Sequence, residues 1–135
     1  MPTGYSGTPL VKKLGIKPGF RVFVDNAPDN YLQLLEPLPD EITFVAKKEF
    51  DLDLVHIFTD RKKDLAVKLK QYVKKIKANG TIWVSWPKKA AKVPTDLTED
   101  IVRELASATV LVDVKVCAVD AVWSGLKLVI RVEQR

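Results

Sequence analysis

The sequence predicts a three-layer α/β sandwich of about six strands, mostly parallel and ending in an antiparallel hairpin. Three observations carry this. Short runs rich in Val, Ile and Phe at 21–24, 42–46, 54–58 and 81–86 do not alternate with polar residues, as expected of strands covered on both faces. Amphipathic helical stretches separate most of them, which requires parallel pairing through right-handed crossovers. The last two runs alternate every second residue with no helix between them, so they read as an antiparallel pair. A length of 135 residues suits one domain, 1–135, with residues 1–19 as an N-terminal arm and short helix.

Each element has a local reason. Thr8 followed by Pro9 reads as an N-cap and first helical residue. Leu10, Val11 and Leu14 then form an apolar stripe that Gly15 ends with a left-handed cap. Lys17-Pro18-Gly19 is a turn. The first strand follows at 21–24, and Asp25-Asn26-Ala27-Pro28 bounds it. Residues 29–36 make a two-turn helix with Tyr31, Leu34 and Leu35 inward, ended by Pro37 and Pro39. The second and third strands are 42–46 and 54–58. Residues 60–77 form the clearest helix, with Leu65, Leu69, Tyr72, Val73 and Ile76 at helical spacing, stopped by Asn79-Gly80. The fourth strand, 81–86, closes at Pro87, and 88–94 is a basic loop. Asp96 with Glu99 forms a capping box, with Thr95 as the competing cap. Leu97, Ile101, Leu105 and Ala108 give the next helical stripe. Val112, Val114 and Val116 alternate with Asp113, Lys115 and Cys117. Leu126, Leu128, Ile130 and Val132 alternate with Lys127, Val129, Arg131 and Glu133. The connection at 120–125 exceeds a two-residue turn.

The apolar fraction of 47% and charged fraction of 29% exclude a disordered or collagen-like chain. The net charge of +5 favours weak attraction to anions without assigning a nucleic-acid partner. One cysteine, Cys117, permits no internal disulfide and fits a reducing cytoplasmic setting. The N-terminus lacks a signal-peptide pattern, and no apolar run is long enough for a membrane span.

The order β-α-β-β-α-β-α-β-β resembles a shortened class I S-adenosylmethionine-dependent methyltransferase, a Rossmann-like fold. The resemblance runs from Leu14 onward. Leu14-Gly15-Ile16-Lys17-Pro18-Gly19-Phe20-Arg21-Val22 is similar to the approach to that family's first strand. Residues 53–58, the long helix, and Asn79-Gly80-Thr81-Ile82-Trp83-Val84 are similar to its central strand, helix and next strand. A more specific resemblance spans nearly the whole chain. Gly4-Tyr5-Ser6-Gly7-Thr8-Pro9-Leu10, Ser85-Trp86-Pro87-Lys88-Lys89, Val116-Cys117-Ala118-Val119-Asp120 and Trp123-Ser124-Gly125-Leu126-Lys127-Leu128-Val129 are similar to segments of a small uncharacterised bacterial family, a domain of unknown function. It implies no activity.

The methyltransferase resemblance implies a Gly-x-Gly loop after the first strand, where the backbone approaches the cofactor. Asn26 and Pro28 stand there, and Val24 stands where an acidic residue is usual, with Asp25 adjacent. It also implies a carboxylate after the second strand for the ribose hydroxyls. Ala46-Lys47-Lys48-Glu49 stands there, and a lysine cannot accept those bonds. The expectation is therefore no cofactor, with S-adenosylmethionine disfavoured. The first reading is a non-enzymatic module binding a small ligand or protein. The alternative is a divergent S-adenosylmethionine-dependent methyltransferase.

In open α/β sheets ligands bind beyond the carboxyl ends of the strands. That places Asp25, Asn26, Thr59, Asp60, Ser85, Trp86 and Lys88 around a candidate pocket, joined by Asp120, Trp123 and Ser124 if the hairpin returns to that edge. Ser6, Gly7 and Thr8, ahead of a helix, are a candidate anion site. His56, the only histidine, lies in an apolar strand and reads as buried and hydrogen-bonded rather than as a base or ligand. Cys117 reads as an inert thiol. The four serines show no nucleophile elbow, and one Cys with one His excludes a Cys/His metal cluster. The helix from Arg61 to Lys77 carries eight basic residues against one acid, Asp64. It is a solvated face or a weak phosphate-driven contact to RNA or another anion. It has no exposed aromatic, which argues against base stacking and a nucleic-acid partner. The terminal hairpin leaves an edge through which a homodimer could pair, guarded by Lys127, Arg131 and Glu133.

Overall fold

The computed structural model describes residues 8–135. The elements run α1 (Leu10–Leu14), β1 (Arg21–Asp25), α2 (Tyr31–Leu35), β2 (Thr43–Phe44), β3 (Leu52–Phe58), α3 (Lys62–Tyr72), β4 (Ile76–Pro87), α4 (Glu99–Ser107), β5 (Leu111–Ala118) and β6 (Trp123–Ile130). The six strands form one sheet in the order β2-β1-β3-β4-β6-β5. The β1–β2, β1–β3 and β3–β4 pairs are parallel, and β6 is antiparallel to both β4 and β5. The sandwich predicted from sequence, with its terminal hairpin, is the fold observed.

Each face of the sheet has its own core. Val55, Ile57, Ile82, Val84 and Trp86 pack with Leu65, Leu69 and Tyr72 of α3 and Val102 and Ala106 of α4. Val22, Leu54, Phe58 and Trp83 pack with Leu10, Val11 and Leu14 of α1 and Tyr31 and Leu35 of α2. The two sets interleave along β3 and β4 because successive strand residues point to opposite faces. Trp83 is fully buried and donates its indole N–H to the Leu14 carbonyl at 2.9 Å, which ties α1 to the sheet centre. Gly125 makes room for that indole: a Cβ there would lie 3.3 Å from Trp83 Cε3.

Several local expectations are corrected. The helix expected over 60–77 stops at Tyr72, and Ile76 already pairs with Leu52. Asn79 and Gly80 lie inside β4, within an irregularity that separates the Leu52–Ile76 and Leu54–Thr81 pairs. A Cβ on Gly80 would come within 2.9 Å of the Lys77 carbonyl and Ile76 Cβ, so only glycine lets the chain fold back so closely. The second strand is reduced to Thr43 and Phe44, both exposed, rather than a covered five-residue run. Pro9, not Thr8, is the N-cap of α1, and no side chain caps it. Gly15 ends α1 at φ 77 as expected.

Helix α4 is capped by Thr98, whose hydroxyl accepts from the Ile101 amide at 3.3 Å. Asp96 caps the other helix instead, accepting from the Lys62 amide at 2.7 Å. The buried stripe of α4 is Val102 and Ala106. Val112, Val114 and Val116 are exposed together with Asp113 and Lys115, so the middle of the edge strand β5 is open on both faces instead of burying one alternate set.

Candidate functional site

The chain leaves β1 toward β2 on one side and returns to β3 on the other. The carboxyl ends of β1 and β3 therefore flank the point where the strand order reverses, where open α/β sheets place their ligands. Asp25 ends β1 and faces α3. Its Oδ1 accepts from Lys68 Nζ at 2.7 Å and its Oδ2 accepts from the Tyr72 hydroxyl. Lys68 also reaches Asp64 at 3.0 Å, and Asp64 accepts from the Thr59 hydroxyl at 2.7 Å. Burial alone would raise the Asp64 carboxyl, but the bonds from Thr59 and Lys68 outweigh it and the net shift is downward. Burial, then the bond to Asp25, pushes the Tyr72 phenol up, so it remains a donor. These contacts fix the end of β1 against α3.

Asn26 follows with φ 59, in the left-handed region that glycine enters most easily and asparagine tolerates. Its side-chain amide donates to the Phe58 carbonyl at 3.2 Å, bridging the ends of β1 and β3. The loop of residues 26–30 is largely exposed above this bridge.

The remaining sequence-predicted residues divide by depth. Ser85 is fully buried, and its Oγ lies 2.8 Å from His56 Nε2, while Tyr31 Oη lies 2.8 Å from His56 Nδ1. Burial lowers the His56 pKa to about 3 and raises that of Tyr31. A neutral imidazole needs one donor and one acceptor partner, and two hydroxyls can supply both. His56 is thus the buried, satisfied histidine that the sequence suggests.

The hairpin does return to the carboxyl edge, since Trp123 pairs with Pro87 and Ser124 with Trp86. Asp120 accepts from the amides of Val122 and Trp123, both at 2.8 Å, and so shapes the turn. Trp123 packs edge-on against Phe58 with ring centroids 5.1 Å apart. Trp86 and Lys88 line a cleft of about 680 Å³ beyond β4, with Val93, Leu97 and Thr98 on the α4 side. Thr59 is buried, and Asp60 is exposed at the end of β3. Ser6 and Gly7 lie outside the described residues. Thr8 is exposed beside Lys12, Lys13 and Cys117. Burial raises the Cys117 thiol against the pull of Lys13, Lys115 and Lys88, so it stays protonated near neutral pH.

Sequence reasoning missed Lys68 and Tyr72 as partners of Asp25. They stand 43 and 47 residues away, and only the helix periodicity hinted that Tyr72 faces inward. It also placed the loop after the second strand at the ligand edge. Strand β2 ends level with Val22, and Glu49 lies 3.4 Å from Arg21 at the opposite, amino edge.

Comparison with solved structures identifies what this arrangement resembles. An S-adenosylmethionine-dependent methyltransferase from Aquifex aeolicus aligns over 90% of this chain and 88% of its own, with TM-score 0.64 and 12% identity. An S-adenosylmethionine-dependent O-methyltransferase from Thermotoga maritima aligns over 90% of this chain and 63% of its own, with TM-score 0.60 and 8% identity. LepI in complex with S-adenosylhomocysteine and a substrate analogue aligns over 97% of this chain and 49% of its own, with TM-score 0.59 and 14% identity. The fold is methyltransferase-like. At these identities the likeness is one of fold. No family model and no curated protein matches the sequence, so the more specific resemblance to an uncharacterised bacterial family gains no support.

The expectation of no cofactor is corrected by these neighbours, which share the fold and are S-adenosylmethionine-dependent enzymes. Asn26 takes the left-handed conformation that a glycine would supply at the end of β1. Among the described residues, no helix is long and apolar enough to cross a membrane.

Proposed function

We propose that this chain is a divergent S-adenosylmethionine-dependent methyltransferase, with the cofactor held over the crossover between β1 and β3. The observation that carries the reading is Asn26 at φ 59 at the end of β1, on a fold shared over nine-tenths of the chain with such enzymes. The neighbours favour this over the non-enzymatic module expected first from sequence.

The loop of residues 26–30 would hold the cofactor. Asp25 is a positioning residue, since Lys68 and Tyr72 occupy its two oxygens and it anchors the strand end below Asn26. The loop after β2 lies at the other edge, so the exposed carboxylate of Asp29, within the loop of residues 26–30, would be the acceptor for ribose hydroxyls. S-adenosylmethionine, when bound, supplies an electrophilic methyl group on a sulfonium. The cleft between Trp86, Lys88 and Leu97 offers space for a methyl acceptor, while Trp123 packs on the opposite face of the sheet against Phe58.

Thermal unfolding and calorimetry with S-adenosylmethionine and S-adenosylhomocysteine test the reading. A ligand at a hundredfold excess over its Kd stabilises the native state by about 2.7 kcal/mol. Asn26→Ala is expected to abolish that protection, and Asn26→Gly to retain it, because glycine reaches the same φ. No heat and no shift at saturating ligand would overturn the reading.

A further inference from the structure

A second surface lies at the other edge of the sheet, away from the crossover. Helix α3 turns Leu65, Leu69 and Tyr72 inward, its outer side carries Val67 and Lys70, and Lys74 follows in the turn after it. The loop between β2 and β3 brings Lys47 and Phe50 alongside. Between them runs a groove of about 490 Å³ bordered by Lys47, Phe50, Val67, Lys70, Lys74 and Lys75, with no acidic side chain in its lining. Phe50 is 57% exposed and Val67 56%, which is unusual for an aromatic ring and a valine on neighbouring elements.

The ring is held in place. Lys75 donates to the Lys47 carbonyl and sits 5.5 Å from the Phe50 ring centroid. The Leu52 amide donates to the Lys75 carbonyl at 3.0 Å, and Asp51 takes φ 57 to close the turn. Lys47, Lys70 and Lys74 enter none of the ion pairs among the described residues. Of the two acids flanking Phe50 on the loop, Glu49 is paired with Arg21, and Asp51 does not line the groove. The groove therefore combines unneutralised positive charge with a fixed, open aromatic face.

We propose that this groove binds single-stranded nucleic acid, with a base stacked on Phe50 and phosphates on Lys47, Lys70 and Lys74. Positive charge tracking a backbone beside a stacking ring is how sequence-tolerant single-strand sites are built. A duplex hides its base faces, so it can use only the lysines. An acidic amphipathic helix needs anchors at i, i+3 or i+4, and i+7, and the groove offers only two apolar side chains. The aromatic missing from the lysine helix in sequence is supplied by a loop some 20 residues upstream.

Fluorescence anisotropy of the full chain with a labelled, unstructured 12-nucleotide RNA tests this, beside the same sequence as a duplex and a poly-glutamate competitor. The single strand is expected to bind more tightly than the duplex. Affinity should fall with salt at a log–log slope of about −2 for three phosphate contacts. Phe50→Ala and Phe50→Leu should each weaken binding at least about fivefold without changing the salt slope, while Phe50→Tyr retains it. Lys70→Glu with Lys74→Glu should weaken binding and flatten the slope. Equal affinity for the duplex, indifference to Phe50→Ala, or displacement by poly-glutamate as readily as by unlabelled RNA would each overturn the proposal. These side chains are exposed, and unchanged thermal unfolding of each variant verifies that only the surface has been altered.

Discussion

Two polar networks meet the sheet near the carboxyl end of β3, on opposite faces, and they solve opposite problems. Tyr31, His56 and Ser85 sit on the α1–α2 face beneath the carboxyl edge, fully enclosed and neutral. Asp25, Lys68, Tyr72, Asp64 and Thr59 sit on the α3 face at that edge, ionic and part-exposed. Depth decides the difference. A charge in the inner trio would lose its hydration with no counter-ion among its partners, so the imidazole refuses a proton. At the edge the carboxylates have a lysine within 3.0 Å and some water, so charge is retained. The inner network therefore serves the fold, and the outer one sets the strand end from which Asn26 projects.

Acid should separate the two most sharply. Burial depresses the His56 pKa from 6.5 to about 3, so the unfolded chain binds a proton there that the folded chain does not. The stability this contributes is complete above about pH 6.5. It declines as pH falls below that value, and the loss ends near pH 3, where the folded state also protonates. Between pH 7 and 5 the loss should reach about 2 kcal/mol, read by urea unfolding at each pH. A His56→Asn variant should show a shallower dependence. Equal slopes in the two proteins would break the distinction between a closed neutral trio and an ionic edge.

Removing one inner partner is the next largest effect. Ser85→Ala leaves a buried ring nitrogen without a partner and should cost about 1–3 kcal/mol in unfolding free energy. Tyr31→Phe should cost a similar amount. A loss below a few tenths in both would mean the trio is not satisfied by these hydroxyls.

Lys68→Met should cost less, about 1 kcal/mol, because water can reach Asp25 and Tyr72 still donates to it. The cost should shrink in high salt, whereas that of Ser85→Ala should not. A salt-insensitive Lys68→Met would place the two networks in the same class.

Much of the fold was legible because its signals are local. Gly15 ends a helix by its own φ, and Pro37 and Pro39 follow the end of α2. The unbroken apolar runs announced strands with helices on both faces. The errors fell where distant residues override local preference. Residues 76–80 carry a helix stop signal, yet they join β4 because Leu52 offers a strand partner and Gly80 permits the close return. Asp96 has the spacing of a cap for its own helix, yet it caps α3.

The candidate site divides in the same way. The sequence by itself determined that the carboxyl ends of the strands would gather Asp25, Asn26, Trp86 and Lys88, because topology follows from the alternation of strand and helix. It also marked His56 as a core residue, from the apolar strand around it. Only the tertiary structure decided that Asp25 belongs to Lys68 and Tyr72, that Ser85 is sealed behind His56, and that Phe50 stands beside Lys70 of α3 and the lysines of the turn after it. Hydrophobic periodicity records which face a residue buries. It carries no record of which polar group, 30 or 40 residues away, arrives to satisfy it.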